Sequence, residues 1–152
     1  MAISAHESIR NTIARWPLIM DQRMHEKLPT TFSSDAIFHY PPPIGTIQGI
    51  AALTQMLKTL EDVKTYHSLG TQIIQMTSAT TATTITYCIG VHVRTGEQAR
   101  KSMTILGHYE DRLVKEDIVG EREVDDDGWR IVERRVFHDI PPTEGQPFPA
   151  LA

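Results

Sequence analysis

The stretch Thr80-Thr-Ala-Thr-Thr-Ile-Thr-Tyr-Cys-Ile-Gly-Val-His-Val-Arg94 decides the fold. Its odd positions Ile85, Tyr87, Ile89, Val91 and Val93 are apolar, while Ala82, Thr84, Thr86, Cys88, Gly90 and His92 on the even positions are small or polar. Period two is the mark of a strand. A strand pressed by tight core on both faces would not leave one face so small. Small residues ending in a histidine suit instead a concave wall with room for a ligand. The apolar face is left to meet helices or another subunit.

Working outward, three further runs share the period: Thr65–Met76, Ser102–Lys115 and Trp129–His138, separated by turn-like segments such as Arg94-Thr-Gly-Glu and Asp125-Asp-Asp-Gly. Towards the N-terminus the spacing changes. Ser4 followed by Glu7 is a capping box, so a helix should start near Ala5, with Ile9, Ile13, Trp16 and Met20 as its buried face and a kink at Pro17. A short helix is expected over His25–Phe32, a strand over Ala36–Tyr40 that stops at Pro41-Pro42-Pro43, and a helix over Ile50–Leu60. Helices first and meandering strands second predict an α+β fold, with helices on one face of an antiparallel sheet. One domain is expected over residues 1–140, and residues 141–152, with four prolines, as an extended or disordered tail.

The 152 residues suffice for one domain with a real core, and 40% hydrophobic residues mark an ordinary globular chain. A net charge of −4 without a basic stripe argues against a nucleic-acid footprint. The single cysteine, Cys88, excludes an internal disulfide and fits a reducing compartment. Neither a signal peptide nor a membrane-spanning stretch is read. A soluble cytoplasmic protein with a small-molecule substrate, and no nucleic-acid or membrane partner, is expected.

Two histidines carry the chemistry. His67 lies in Thr65-Tyr-His-Ser-Leu-Gly70 and His92 in Gly90-Val-His-Val93, 25 positions apart in separate strand runs. Neighbouring strands of a curved sheet can aim both rings at one point. With a carboxylate at Asp21 and a phenol at Tyr40, they are the parts of an acid–base site that needs no metal or other cofactor. An enzyme acting on a small carbonyl compound is the leading reading. Each residue alone has a plainer one: Asp21 as a half-exposed helix-end carboxylate, either histidine as a satisfied rim residue, Tyr40 as a strand edge. In the fourth run Asp111 shares its face with Met103, Ile105 and Tyr109 and is expected to accept a hydrogen bond from His92. His108 has the opposite parity, so a three-histidine metal site with His67 and His92 is disfavoured. Arg130, Arg134 and Arg135 read as a charged strand face, and Cys88 as a wall residue rather than a nucleophile.

With these residues in hand, the chain resembles the SnoaL-like branch of the nuclear-transport-factor-2-like superfamily, and within it the scytalone-dehydratase-like members. Ala14-Arg-Trp-Pro-Leu-Ile-Met-Asp21, Phe32-Ser-Ser-Asp-Ala-Ile-Phe-His-Tyr40, Tyr66-His-Ser-Leu-Gly70 and Asp127-Gly-Trp-Arg-Ile-Val-Glu-Arg134 carry the likeness, which runs over about Glu7–Asp139. The resemblance implies a cone-shaped curved sheet wrapped around the helices, one deep pocket, and homo-oligomers formed through the outer sheet face. It implies that Asp21 is the helix-borne aspartate, that Tyr40 polarises a carbonyl through water, and that His67 and His92 are the active-site pair. Two departures stand out. Met20 occupies the place of a second carbonyl-facing tyrosine, and Asp111 and Leu113 occupy the places of a serine and an asparagine. Substrate contacts are expected from Trp16, Met20, Leu69, Cys88, Gly90, Met103, Tyr109, Asp111 and Leu113. The expected activity is a cofactor-independent dehydratase of a β-hydroxy ketone in polyketide or aromatic secondary metabolism. The alternatives are an isomerase or cyclase using the same proton abstraction, and a non-catalytic binding protein.

Overall fold

In the computed structural model, which describes residues 3–96, 101–118 and 126–145, the chain opens with helix α1, Ala5–Gln22. The Ser4 hydroxyl accepts the Glu7 N–H at 3.2 Å, as the capping box requires. The helix runs through Pro17. It ends where Arg23 adopts a left-handed backbone, φ 60°, and its guanidinium donates to the carbonyls of Met20 and Leu60 at 3.2 and 3.1 Å. That clamp fixes the helix end, and so Asp21, against the segment leading into β3.

A 3-10 turn, His25–Thr30, follows. Strands β1 (Phe32–His39) and β2 (Thr46–Gln48) and helix α2 (Ile50–Lys58) come next, then the long strands β3 (Val63–Met76), β4 (Thr81–Arg94), β5 (Ser102–Lys115) and β6 (Trp129–Gly145). They form one curved, unclosed six-stranded sheet in the order β2-β1-β6-β5-β4-β3, all neighbours antiparallel except β1 with β6. This is the mixed α+β fold expected of the cone. Among the described residues no helix is long and apolar enough to cross a membrane.

The alternation in β4 sorts its two faces. Ala82, Thr84, Thr86 and Cys88 are at most 7% exposed and look inward, whereas Ile85, Tyr87 and Ile89 are 43–55% exposed on the outer face. Helix α1 lays Ile9, Ile13, Trp16 and Ile19 on the inner face, where they join Phe32, Phe38, Leu113, Trp129 and Ile131 in one core. Each such side chain contributes on the order of 1.5–3 kcal/mol through burial.

Strand β6 reaches seven residues beyond the His138 at which its sequence run ends. Pro141 and Pro142 fall between the Ile140–Leu106 and Thr143–Thr104 pairs, where the register with β5 shifts. A proline lacks the ladder donor, so it is tolerated at such an irregularity. Residues 141–145 are therefore strand, and 146–152 lie outside the described residues.

The arginine triplet is not one charged face. Arg134 is fully buried in an ion pair with Asp111, Arg130 is buried against Asp126, and only Arg135 is exposed. Asp126, in the turn before β6, is 4% exposed and also accepts the Gly128 N–H.

Candidate active site

The inner face of the sheet, the C-terminal end of α1 and the Pro41–Ile44 lip enclose a cavity of about 570 Å³. Its wall is largely apolar, with Trp16, Met20, Met56, Met103, Ile105 and Val136 among the lining residues. A few polar groups interrupt it: His67, His92, His108, His138, Tyr40, Tyr109 and Thr59. Among the described residues no lysine, arginine or carboxylate side chain belongs to the lining.

Asp21 sits directly behind His67. Its carboxylate accepts three hydrogen bonds: from the Thr65 hydroxyl at 2.9 Å, from the His67 backbone N–H at 2.8 Å, and at 2.7 Å from the His67 ring. A carboxylate accepts and does not donate, so His67 Nδ1 carries a proton, and in the neutral ring Nε2 is the lone-pair base. The three bonds arise from position. Asp21 is in the last turn of α1, held by the Arg23 clamp, and β3 passes it with Thr65 and His67 on the same face.

His92 comes from the adjacent strand. The two rings meet edge to face, centroids 5.5 Å apart. Gly90, which pairs with His67, makes room for them: a Cβ there would lie 3.2 Å from His67 Cδ2, 3.4 Å from His67 Nε2 and 3.7 Å from His92 Nε2. Both ring nitrogens thus converge on one small open volume over a glycine. Burial, reinforced by the neighbouring His67, pulls the His92 pKa down to about 4. At neutral pH His92 is an uncharged ring.

Elsewhere on the cavity wall burial pushes the Tyr40 phenol up to about 12 and the Tyr109 phenol above its ordinary value. Both remain protonated hydrogen-bond donors. The Cys88 thiol, 3.2 Å from the Tyr109 oxygen, is likewise raised by burial, as suits a wall residue.

The structure brings together His67, His92, Tyr40, Trp16, Met20, Cys88, Gly90, Met103 and Tyr109 around the cavity, with Asp21 behind His67. It does not bring Asp111 to His92. In the β4–β5 register His92 faces Met103 whereas Asp111 faces Thr84, eight residues along the strand, and both Asp111 oxygens are taken by Arg134 at 2.7 Å. Leu113 is buried in the core opposite Ala82, and Leu69 packs against the core; neither lines the cavity. His138, Ile105, Gly107, Val136, Met56, Leu60 and the proline lip line it without having been singled out. Parity would have found Ile105 and Gly107, which share the Met103–Tyr109 face, and His138, which shares the face of Arg134 and Val136. His108 binds Asp139 at 2.7 Å and stacks on Phe137. Among the described residues no group of three or more histidine, cysteine or acidic side chains is placed to hold a metal ion.

A family model described as a SnoaL-like domain matches residues 1–135. No curated protein is similar enough to count as a match. Solved structures do match. One is a Novosphingobium aromaticivorans protein provisionally assigned as a scytalone dehydratase, 21% identical over 91% of this chain and 86% of that one, TM-score 0.75. Another is ActVI-ORFA of Streptomyces coelicolor, 18% identical over 88% and 96%, TM-score 0.68. A third is the hexachlorocyclohexane dehydrochlorinase LinA-type3 of Novosphingobium barchaimii, 14% identical over 93% and 90%, TM-score 0.75. At such identities the likeness speaks for the fold.

Proposed function

The chain belongs to the SnoaL-like domain family, and from that premise we propose that it is a cofactor-independent acid–base lyase that removes water from a cyclic β-hydroxy ketone. The observation that carries the reading is the Asp21–His67 contact at 2.7 Å, which leaves His67 Nε2 as a base opening into an apolar cavity. His67 Nε2 takes the proton from the carbon next to the carbonyl, and the C–H electron pair becomes an enolate. Tyr40, directly or through a water, donates to the enolate oxygen. The enolate then expels the β-hydroxyl, which leaves as water with the proton that His67 had taken. The imidazole is neutral again and no electrons are gained or lost. General acid–base catalysis of this kind contributes on the order of 10²–10⁴-fold.

In this reading His92 is not the proton donor to the departing hydroxyl. A ring with a pKa of about 4 holds no spare proton at neutral pH, and its expected partner Asp111 belongs to Arg134. It positions the hydroxyl, while His67 both takes and returns the proton. The same observation supports a second reading. With no independent acid for the hydroxyl, the proton on His67 can return to carbon instead, which makes an isomerase or cyclase. Neighbours of the same fold whose names speak of dehydratase and dehydrochlorinase activity favour elimination.

Mass spectrometry of the protein incubated with a panel of cyclic β-hydroxy ketones separates the readings. Loss of one water supports the lyase, rearrangement at constant mass supports the second reading, and an unchanged panel counts against both. We also propose that copies associate through the outer sheet face, where Tyr66, Ile73 and Tyr87 are 55–68% exposed. Sedimentation at micromolar concentration should return more than one chain's mass; a single-chain mass contradicts it.

A further inference from the structure

Tyr109 sits where the proposed reaction develops negative charge. In the sheet, His39 of β1 faces Arg135 of β6, so Tyr40 lies in the row of Val136, and Val136 faces Tyr109 of β5. The two phenols therefore flank one residue on one row of the inner face, and all three line the cavity. Neighbouring strands lie about 4.8 Å apart, so two long phenols rooted on that row can converge on one oxygen.

Two groups flank the Tyr109 phenol. The Tyr109 hydroxyl lies 3.2 Å from Cys88 Sγ, a weak hydrogen-bonding partner that a ligand oxygen can displace. Behind the ring lies the buried Arg134 guanidinium, 4.2 Å from the ring centroid. Its charge is held in place by Asp111 and favours electron density moving onto the phenol oxygen as a hydrogen bond to an anion forms.

Position relative to the base completes the picture. Cys88, where the hydroxyl ends, and Gly90, over which His67 Nε2 lies, are successive inward residues of β4. Two residues of a strand span about 7 Å. A carbonyl oxygen and its adjacent carbon, each within roughly 3 Å of its protein partner, fill a gap of that size.

We propose that Tyr109 is a catalytic residue: a second hydrogen-bond donor to the enolate oxygen, backed by Arg134. This rests on the carbonyl-chemistry reading above. The proton still moves from carbon to His67 and back to the departing oxygen; Tyr109 keeps its own proton throughout.

The test uses Tyr109→Phe, which removes one oxygen and keeps the ring over Arg134, with 2-naphthol as a planar mimic of an enol. Titration of the wild type is expected to show binding, weakened tenfold or more in Tyr109→Phe and less than threefold in His67→Ala. Alongside it, α-proton exchange of cyclic ketones in D₂O should fall about 10²–10³-fold in Tyr109→Phe. Exchange and binding that stay within threefold of wild type in Tyr109→Phe would overturn the assignment while leaving His67 as the base. If no ketone exchanges even with wild type, the functional reading fails, and the naphthol titration decides Tyr109 alone. Circular dichroism of the variant confirms the fold, and a wild type that does not bind 2-naphthol also counts against the site.

Discussion

The chain holds two carboxylate–base contacts of equal length and opposite character. Asp21–His67 and Asp111–Arg134 are both 2.7 Å. The first pair keeps 18% and 8% of its side chains exposed at the cavity edge, and the second is 0% exposed on both sides. The first partner is an imidazole, which can give up and regain a proton near neutral pH; the second is a guanidinium, which cannot. Distance alone therefore says little about what a charged pair does. The accessible pair can move a proton, and the sealed one can only hold a field. Replacing a buried pair by well-packed apolar groups is often neutral, so Asp111–Arg134 is weak evidence of stabilisation, whereas leaving one partner alone is costly.

That contrast can be broken in graded steps. Asp21→Asn keeps the shape but removes the acceptor that sets the His67 tautomer, so turnover should drop about 10²–10⁴-fold with little change in unfolding midpoint. A loss below threefold would mean that Asp21 merely caps β3. Asp111→Ala should do the converse, costing about 3–5 kcal/mol in urea unfolding, while Asp111→Leu with Arg134→Met recovers most of it. A single variant as stable as wild type would show that Arg134 finds water. Gly90→Ala places a methyl group 3.4 Å from His67 Nε2; rates should fall roughly 10–100-fold while the fold persists. Unchanged rates would show that the open volume is not used.

The smallest effect is on pH dependence. The His92 ring is neutral in the folded chain down to about pH 4, whereas in the unfolded chain it takes a proton near the ordinary histidine value of 6.5. Between those values the unfolded state binds more protons, so stability rises with pH and is lost as pH falls through the window. Unfolding curves of His92→Asn should be flatter there than wild type. Parallel curves would mean that His92 is already solvated.

Faces were legible in the sequence, and rows were not. Alternation in β4 assigns Cys88, Gly90 and His92 to the inner side because a pleated strand leaves no other choice. The same rule puts Asp111 on the inner face of β5, yet it cannot tell that His92 faces Met103 and Asp111 faces Thr84. Register depends on where both strands turn, and residues 97–100 between them carry no period. The Asp21–His67 pair was within reach, since a helix end and a strand row each had a single titratable group. Arg134 was hidden by its neighbours: beside Arg135 it reads as solvated until its partner across β5 is known. The length of β6 was hidden by Pro141 and Pro142, which sequence rules place outside a ladder.

The account stands on His67 Nε2 removing a proton from carbon. Deuterium incorporation at the α-carbon of cyclic ketones in D₂O, followed by NMR for wild type and His67→Ala, tests this with no product assumed. Incorporation of solvent deuterium by wild type, reduced at least a hundredfold in a folded His67→Ala protein, is the expected result. Equal incorporation by both proteins would contradict it and move the base elsewhere in the cavity.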